Sequence, residues 1–134
     1  MNYVIDASAW LRVVLLEQQD QPDVLLALRE AKDGLAILRV PEIFVAEVAH
    51  VVQRRRRAGS LTGAEADALV GWTLELDVSL CPLKPLVEPA MRLAWQHRLS
   101  VYDAFYLALA TACGARLLTA DDDLARAARL EGCT

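Results

Sequence analysis

The sequence is poor in sulfur, in lysine and in aromatic rings. Its three cysteines, Cys81, Cys113 and Cys133, are odd in number, far apart and in no CxxC pair. That usage argues against a disulfide scaffold and predicts a reducing, cytoplasmic setting. Twelve of the fourteen basic residues are arginine, and eighteen acids leave a net charge of −4. A generic basic nucleic-acid coat protein is thereby excluded, because phosphate affinity needs clustered cations; a nuclease whose cations are metal ions is not. No uncharged apolar run approaches the ~18 residues of a membrane span. No basic segment precedes the first apolar run, which Asp6 interrupts, so no signal peptide is expected. Repeats, low-complexity segments and linkers are missing too. What remains is 134 residues, 55% of them apolar, with a mean hydropathy of +0.27. This is enough for one domain, residues 1–134, with a sizeable core.

Strands and helices alternate along the chain. Tyr3 to Asp6 reads as a short apolar strand and Ala7 to Leu16 as a helix. A second helix is expected from about Pro22 to Lys32, with the proline in its first turn. Asp33-Gly34 makes a turn before a second strand, Leu35 to Val40. Pro41 opens a long helix to about Arg57, whose last turn carries four arginines where the helix dipole favours them. Thr62 and Glu65 form a capping-box pattern for a helix to about Glu75. Asp77 to Leu83 reads as a third strand. Pro85 and Pro89 delay the next helix, which runs to about His97. Ser100 and Asp103 cap a helix to about Cys113, and Gly114 stops it. Arg116 to Thr119 is a fourth strand and Asp121 to Leu130 a final helix. Such alternation predicts an α/β domain with a mainly parallel sheet.

The carboxylates carry the information. Asp6 ends the first strand and Asp121 follows the fourth, so a parallel sheet places both at its carboxyl edge, where open α/β folds put their sites. Glu47 has Ile43, Phe44 and Val51 at helical spacing around it, so it sits inside an apolar stripe. A buried carboxylate must be neutralised, paired or bound to metal. Asp103 opens a helix whose next turn, Tyr106, Leu107 and Ala110, is apolar. Each acid also has a plainer role. Asp6 suits an N-cap, Asp103 the third position of a capping box begun by Ser100, Asp121 or Asp122 the cap of the last helix. Glu47 suits an arginine partner. Together, however, four acids from four elements point to one edge. Two carboxylates 5 Å apart repel by roughly 3 kcal/mol at an effective dielectric of 20. A hard divalent ion such as Mg²⁺ or Mn²⁺ is the economical neutraliser. A metal site of that kind binds phosphate oxygens, acidifies water and stabilises in-line displacement, which is phosphodiester chemistry.

The order Asp6, Glu47, Asp103, Asp121 resembles the acidic quartet of PIN-domain nucleases. The strings that carry the likeness are Val4-Ile5-Asp6-Ala7-Ser8, Pro41-Glu42 leading to Ala46-Glu47-Val48, Ser100-Val101-Tyr102-Asp103-Ala104 followed by Tyr106-Leu107-Ala108-Leu109-Ala110, and Leu118-Thr119-Ala120-Asp121. They are similar to the toxin component of VapBC-type toxin–antitoxin pairs over nearly the whole chain. The resemblance implies a three-layer α/β/α fold around a mainly parallel sheet of about four or five strands. It implies a Mg²⁺- or Mn²⁺-dependent endoribonuclease, a homodimer and a cognate antitoxin. By position, Asp6, Glu47, Asp103 and Asp121 become the catalytic, metal-holding acids. Ser8 and Thr119 match supporting hydroxyls, and Asp123 matches a further acid of some relatives. Relatives often add a short strand after the final helix. Arg12, on the helix after Asp6, is placed to reach the acidic site, RNA or the antitoxin. Two alternatives stay open: a nuclease acting on DNA or in RNA processing without an antitoxin, and a chiefly protein-binding module with an inert acidic cluster, for which the apolar content speaks.

Other motifs are weaker. Glu47 and His50 spell Glu-x-x-His, half of a di-iron site, but no second copy exists, and His97 has no Glu three residues before it. Arg54 to Arg57 suit a solvated helix end or a contact to RNA phosphate or a partner. Trp10, Trp72 and Trp95 occupy amphipathic positions that suit core or interface. Lys84-Pro85 falls too early for a receiver domain, and Asp6-Ala7-Ser8 lacks the second Asp of haloacid-dehalogenase phosphatases.

Overall fold

A computed structural model describes residues 1–15 and 21–134. Among them are four strands, β1 (Asn2–Ile5), β2 (Ile37–Pro41), β3 (Ser79–Cys81) and β4 (Arg116–Leu118). Seven α-helices accompany them: α1 (Ala7–Val14), α2 (Pro22–Lys32), α3 (Ile43–Arg57), α4 (Gly63–Leu74), α5 (Val87–His97), α6 (Val101–Cys113) and α7 (Asp122–Leu130). The sheet is wholly parallel in the order β3-β2-β1-β4, inside a three-layer α/β/α arrangement.

Burial explains the order. Val4 and Ile5 of β1 are fully buried, as a central parallel strand requires. Helix α6 is buried without interruption from Ala104 to Ala110 and packs on β1, β2, β4, α5 and α7. An apolar circumference of that kind belongs to a helix inside the fold, and its alanines permit close approach. The chain walks outward from β1 to β2 to β3 and then returns to the other side of β1 as β4. Between β1 and β4 the strand order reverses. That is where an open α/β sheet leaves a crevice at its carboxyl edge.

Several boundaries differ from expectation for identifiable reasons. Strand β2 starts late because Gly34, at φ +73°, and Leu35 donate their amides back to Ala31 and Glu30 of α2, a Schellman closure that uses Leu35 before it can pair. Pro41 does not open α3. It ends β2 opposite Cys81, and the Glu42 amide donates to the Cys81 carbonyl before α3 begins at Ile43. Strand β3 is reduced to three residues, and a 3-10 turn, Lys84–Leu86, leads into α5 with Pro89 in its first turn. The expected end of the first helix, Leu16, lies outside the described residues. After α7 the Cys133 carbonyl accepts from the Leu117 amide at 2.8 Å, a single backbone bond on the outer edge of β4.

Trp10 is core, with its indole N–H donating to Thr73 at 2.9 Å, whereas Trp95 is 89% exposed. Among the described residues no helix is long and apolar enough to cross a membrane.

Candidate functional site

Asp6 follows β1 and caps α1, so its backbone is pinned by the sheet and its side chain by the helix. Its amide donates to the Leu118 carbonyl of β4 at 3.1 Å. Carboxylate Oδ1 accepts from the Ala9 amide at 2.9 Å and the Ser8 hydroxyl at 2.7 Å; Oδ2 accepts from the Thr119 hydroxyl at 2.5 Å. Both hydroxyls also accept: Ser8 from the Ala120 amide at 3.1 Å, Thr119 from the Asp121 amide at 3.0 Å. Each hydroxyl has one proton, and each spends it on Asp6, so the 3.4 Å approach of Ser8 to Thr119 carries no hydrogen bond of its own. The network fastens the β1–α1 loop to the β4–α7 loop across the crevice.

Asp6 is 3% exposed. Burial pushes its pKa up to about 6, against the three hydrogen bonds that favour its charge, and the Asp103 carboxylate pushes the same way. Glu47 is half-buried on α3, and its Oε1 accepts from the Tyr106 hydroxyl at 2.9 Å. Burial raises its pKa as well; the Tyr106 bond opposes this, and the charges of Asp103 and Asp6 add to it. Asp103, half-buried at the start of α6, is raised by burial and then by Asp121, with a smaller contribution from Asp123 and an opposing bond from Ser100. Asp121 caps α7, its Oδ1 accepting from the Leu124 amide at 2.8 Å. The structure therefore brings Asp6, Glu47 and Asp103 within electrostatic reach of one another around the crevice, and Asp121 within reach of Asp103.

The plainer roles are partly fulfilled. Asp6 and Asp121 are true N-caps. At α6, Ser100 accepts from the Asp103 amide at 3.1 Å, but the return bond of a capping box, present at Thr62 and Glu65 in α4, is not formed. The Asp103 carboxylate is thus left with a bond from the Ser100 side chain, which favours its charge. Asp123 is exposed and pairs with Arg126 at 3.1 Å. Arg12 follows Ser8 by one turn on α1 and is itself engaged in an interaction. Tyr106 is the residue that the sequence did not single out. Its ring is buried in α6, its hydroxyl holds Glu47, and burial followed by the Glu47 charge raises its own pKa.

Among the described residues, no three His, Cys, Asp or Glu side chains form a ready-made cage for an ion. The donor set is nevertheless of the right kind for a hard divalent cation: carboxylate oxygens only, on four separate elements, with Asp103 disfavouring the charge of Asp6 and Glu47, and Asp121 that of Asp103. It fits in chemistry and in charge.

Beside the acids runs a groove of about 540 Å³ between α1 and α3, with Ser8 and Glu47 on its walls and His50 and Tyr102 also lining it. A smaller hollow of about 290 Å³, at the outer edge of β4, holds Asp23 and Arg116 and none of the four acids.

Comparison with known proteins bears on the family and the fold. The PIN domain family pattern matches residues 3–130. The chain is 36% identical over 126 residues to "Ribonuclease VapC3" of Mycobacterium tuberculosis, covering 92% of this chain and 85% of that protein. It is 30% identical over 127 residues to "Ribonuclease VapC3" of Pyrobaculum aerophilum, covering 93% of each. In structure it is similar to PAE2754 from Pyrobaculum aerophilum, with a TM-score of 0.72 at 24% identity, covering 95% of this chain and 79% of that one. It is also similar to Mycobacterium tuberculosis VapC20, described as a sarcin-ricin loop cleaving toxin, with a TM-score of 0.69 at 18% identity, covering 93% and 94%.

Proposed function

The chain belongs to the PIN-domain family, and from that premise we propose that it is a Mg²⁺- or Mn²⁺-dependent endoribonuclease, the toxin of a toxin–antitoxin pair. The observation that carries this reading is the gathering of three buried or half-buried carboxylates, Asp6, Glu47 and Asp103, at the strand-order reversal, where burial first and neighbouring carboxylates second disfavour their charge. A fold retains such an arrangement at a cost unless a cation relieves it.

In this reading Asp6, Glu47, Asp103 and Asp121 hold the ion. When bound there, a divalent ion would supply positive charge for phosphate oxygens and a lowered water pKa. The remaining work belongs to the chain. Ser8 and Thr119 fix both oxygens of Asp6, so this acid keeps one orientation. Tyr106 fixes Glu47 from inside the core. Neither hydroxyl is available as a nucleophile, since each is already donating to Asp6 and accepting a backbone amide. A covalent intermediate on Ser8 or Thr119 is therefore not part of the scheme.

The test is a titration of Mg²⁺ and Mn²⁺ against cleavage of structured and single-stranded RNAs. Cleavage that needs the ion and stops with chelator is the expected result. Cleavage undiminished by chelator, or none at millimolar Mn²⁺, sinks the reading.

Association with a partner is favoured by a separate observation. Val87, Met91 and Trp95 are exposed at four-residue spacing along α5. An apolar stripe of that kind suits burial against a second copy or an antitoxin. Solution mass measured alone and after co-expression with a candidate antitoxin distinguishes these; a monodisperse monomer in both cases excludes both.

A further inference from the structure

Helix α3 carries Glu47 near its middle and four arginines in its last turn. The four are not equivalent. Arg55 is engaged in an interaction of its own, and the Arg56 guanidinium lies over Gly63 at the start of α4. Arg54 and Arg57 are exposed, and among the described residues their guanidinium groups form no ion pair. At 3.6 residues per turn they fall on the same face as Ile43, Ala46, Glu47 and His50, within an arc of about 100°. That face is one wall of the groove between α1 and α3. The arginines therefore continue the groove-facing side of α3, about 10 and 15 Å from Glu47 along the helix axis at 1.5 Å per residue.

Three chemistries thus lie in sequence along one path. Its inner end is the carboxylate site. Its middle is a mostly apolar space with Tyr102, 56% exposed, on its lining. Its outer end is cationic on a chain of net charge −4. A polyanion with flat apolar rings matches all three, and the volume of about 540 Å³ is of the size that takes a nucleoside-sized ligand. We infer that this path binds single-stranded RNA, with the base of the nucleotide beside the scissile phosphate seated in the groove against Tyr102 and the following phosphates running along His50, Arg54 and Arg57. The inference rests on the ribonuclease reading and adds the route of the substrate to it.

Binding of a short, fluorescently labelled single-stranded RNA to the Asp103→Asn protein, repeated across NaCl concentrations, tests it. Combined Arg54→Ala and Arg57→Ala substitution raises Kd about tenfold at ~0.1 M salt and lowers the slope of log Kd against log salt by about 1.4, at ~0.7 per phosphate released. Lysine at both positions keeps the slope. Tyr102→Ala raises Kd about tenfold at every salt concentration, and Tyr102→Phe restores binding, because stacking needs the ring and not the hydroxyl. With Asp103 intact, the same changes raise KM about tenfold, and Tyr102→Phe restores it. An unchanged salt slope without the two arginines, or equal binding by the Tyr102→Ala and Tyr102→Phe proteins, overturns the inference and leaves the groove to a protein partner. If the unaltered chain cuts RNA while these variants bind like their parent, only the path is wrong. If the unaltered chain cuts no RNA with Mn²⁺, the ribonuclease reading falls and the path with it.

Discussion

His97 and Asp6 are both almost fully buried, at 8% and 3% exposure, yet they keep opposite company. The His97 Nε2 lies 2.7 Å from the Glu131 carboxylate, so a polar group inside the fold meets one of complementary character. Asp6 meets hydroxyls and an amide, and the charge that acts on it is another carboxylate. The His97 contact is closed: it ties α5 to the residue after α7 and asks for nothing further. The crevice is satisfied in hydrogen bonds and unsatisfied in charge. Hydrogen-bond completeness therefore does not separate structural from functional polar groups here, and the sign of the surrounding charge does.

The sharpest way to break this contrast is to neutralise one acid. Asp103→Asn or Asp6→Asn is expected to reduce RNA cleavage roughly a thousandfold, about 4 kcal/mol of barrier, with circular dichroism unchanged. A variant cutting at the wild-type rate with Mn²⁺ present would falsify the role of that carboxylate.

The next effect is on stability. Because the Asp6 pKa is raised to about 6 in the folded chain, its contribution is fully present below its unfolded value of 3.8 and is lost as pH rises through 6. The metal-free protein is thus expected to lose up to about 3 kcal/mol from Asp6 between pH 4 and 7, a drop that Asp6→Asn reduces and added Mn²⁺ reverses. Glu47 and Asp103 shift in the same direction and add to it. Thermal melts across this range check the sign, and a wild-type midpoint that climbs towards pH 7 without metal contradicts it.

His97→Ala should do the reverse of an acid substitution. It is expected to destabilise the fold by about 2 kcal/mol while leaving the cleavage rate per folded molecule unchanged, because a closed contact is lost and the crevice is not. Chemical denaturation beside a cleavage assay separates the two quantities. The smallest effect is expected from Tyr106→Phe, about 1 kcal/mol in stability. The same change should raise the divalent-ion concentration for half-maximal cleavage about tenfold, since Glu47 loses its anchor. An unmoved metal titration would make the tyrosine a packing residue only.

These contrasts mark how far the sequence could be read. Glu47 was legible because a carboxylate at helical spacing among Ile43, Phe44 and Val51 violates the pattern of its own helix. Asp6 and Asp121 were legible because a charge directly after a short apolar strand marks the carboxyl edge. Tyr106 was not, since a tyrosine in an apolar helix reads as core; its hydroxyl finds Glu47 on α3, 59 positions away, a pairing made by the tertiary fold. The start of β2 was misplaced because the Leu35 amide serves the end of α2. The sheet's parallel character followed from alternation, but its order, with β4 returning beside β1, came from tertiary packing that no local pattern encodes.

That order has a consequence for when the crevice is completed. The hydroxyl that grips Asp6 arrives 113 positions after it in the chain. While a ribosome is still extending the polypeptide, the first acid waits beside a vacancy in the sheet, and the crevice has only one wall. The full anchorage of Asp6 is thus deferred until β4 and the turn after it have been made, so the crevice is among the last features of this fold to take shape.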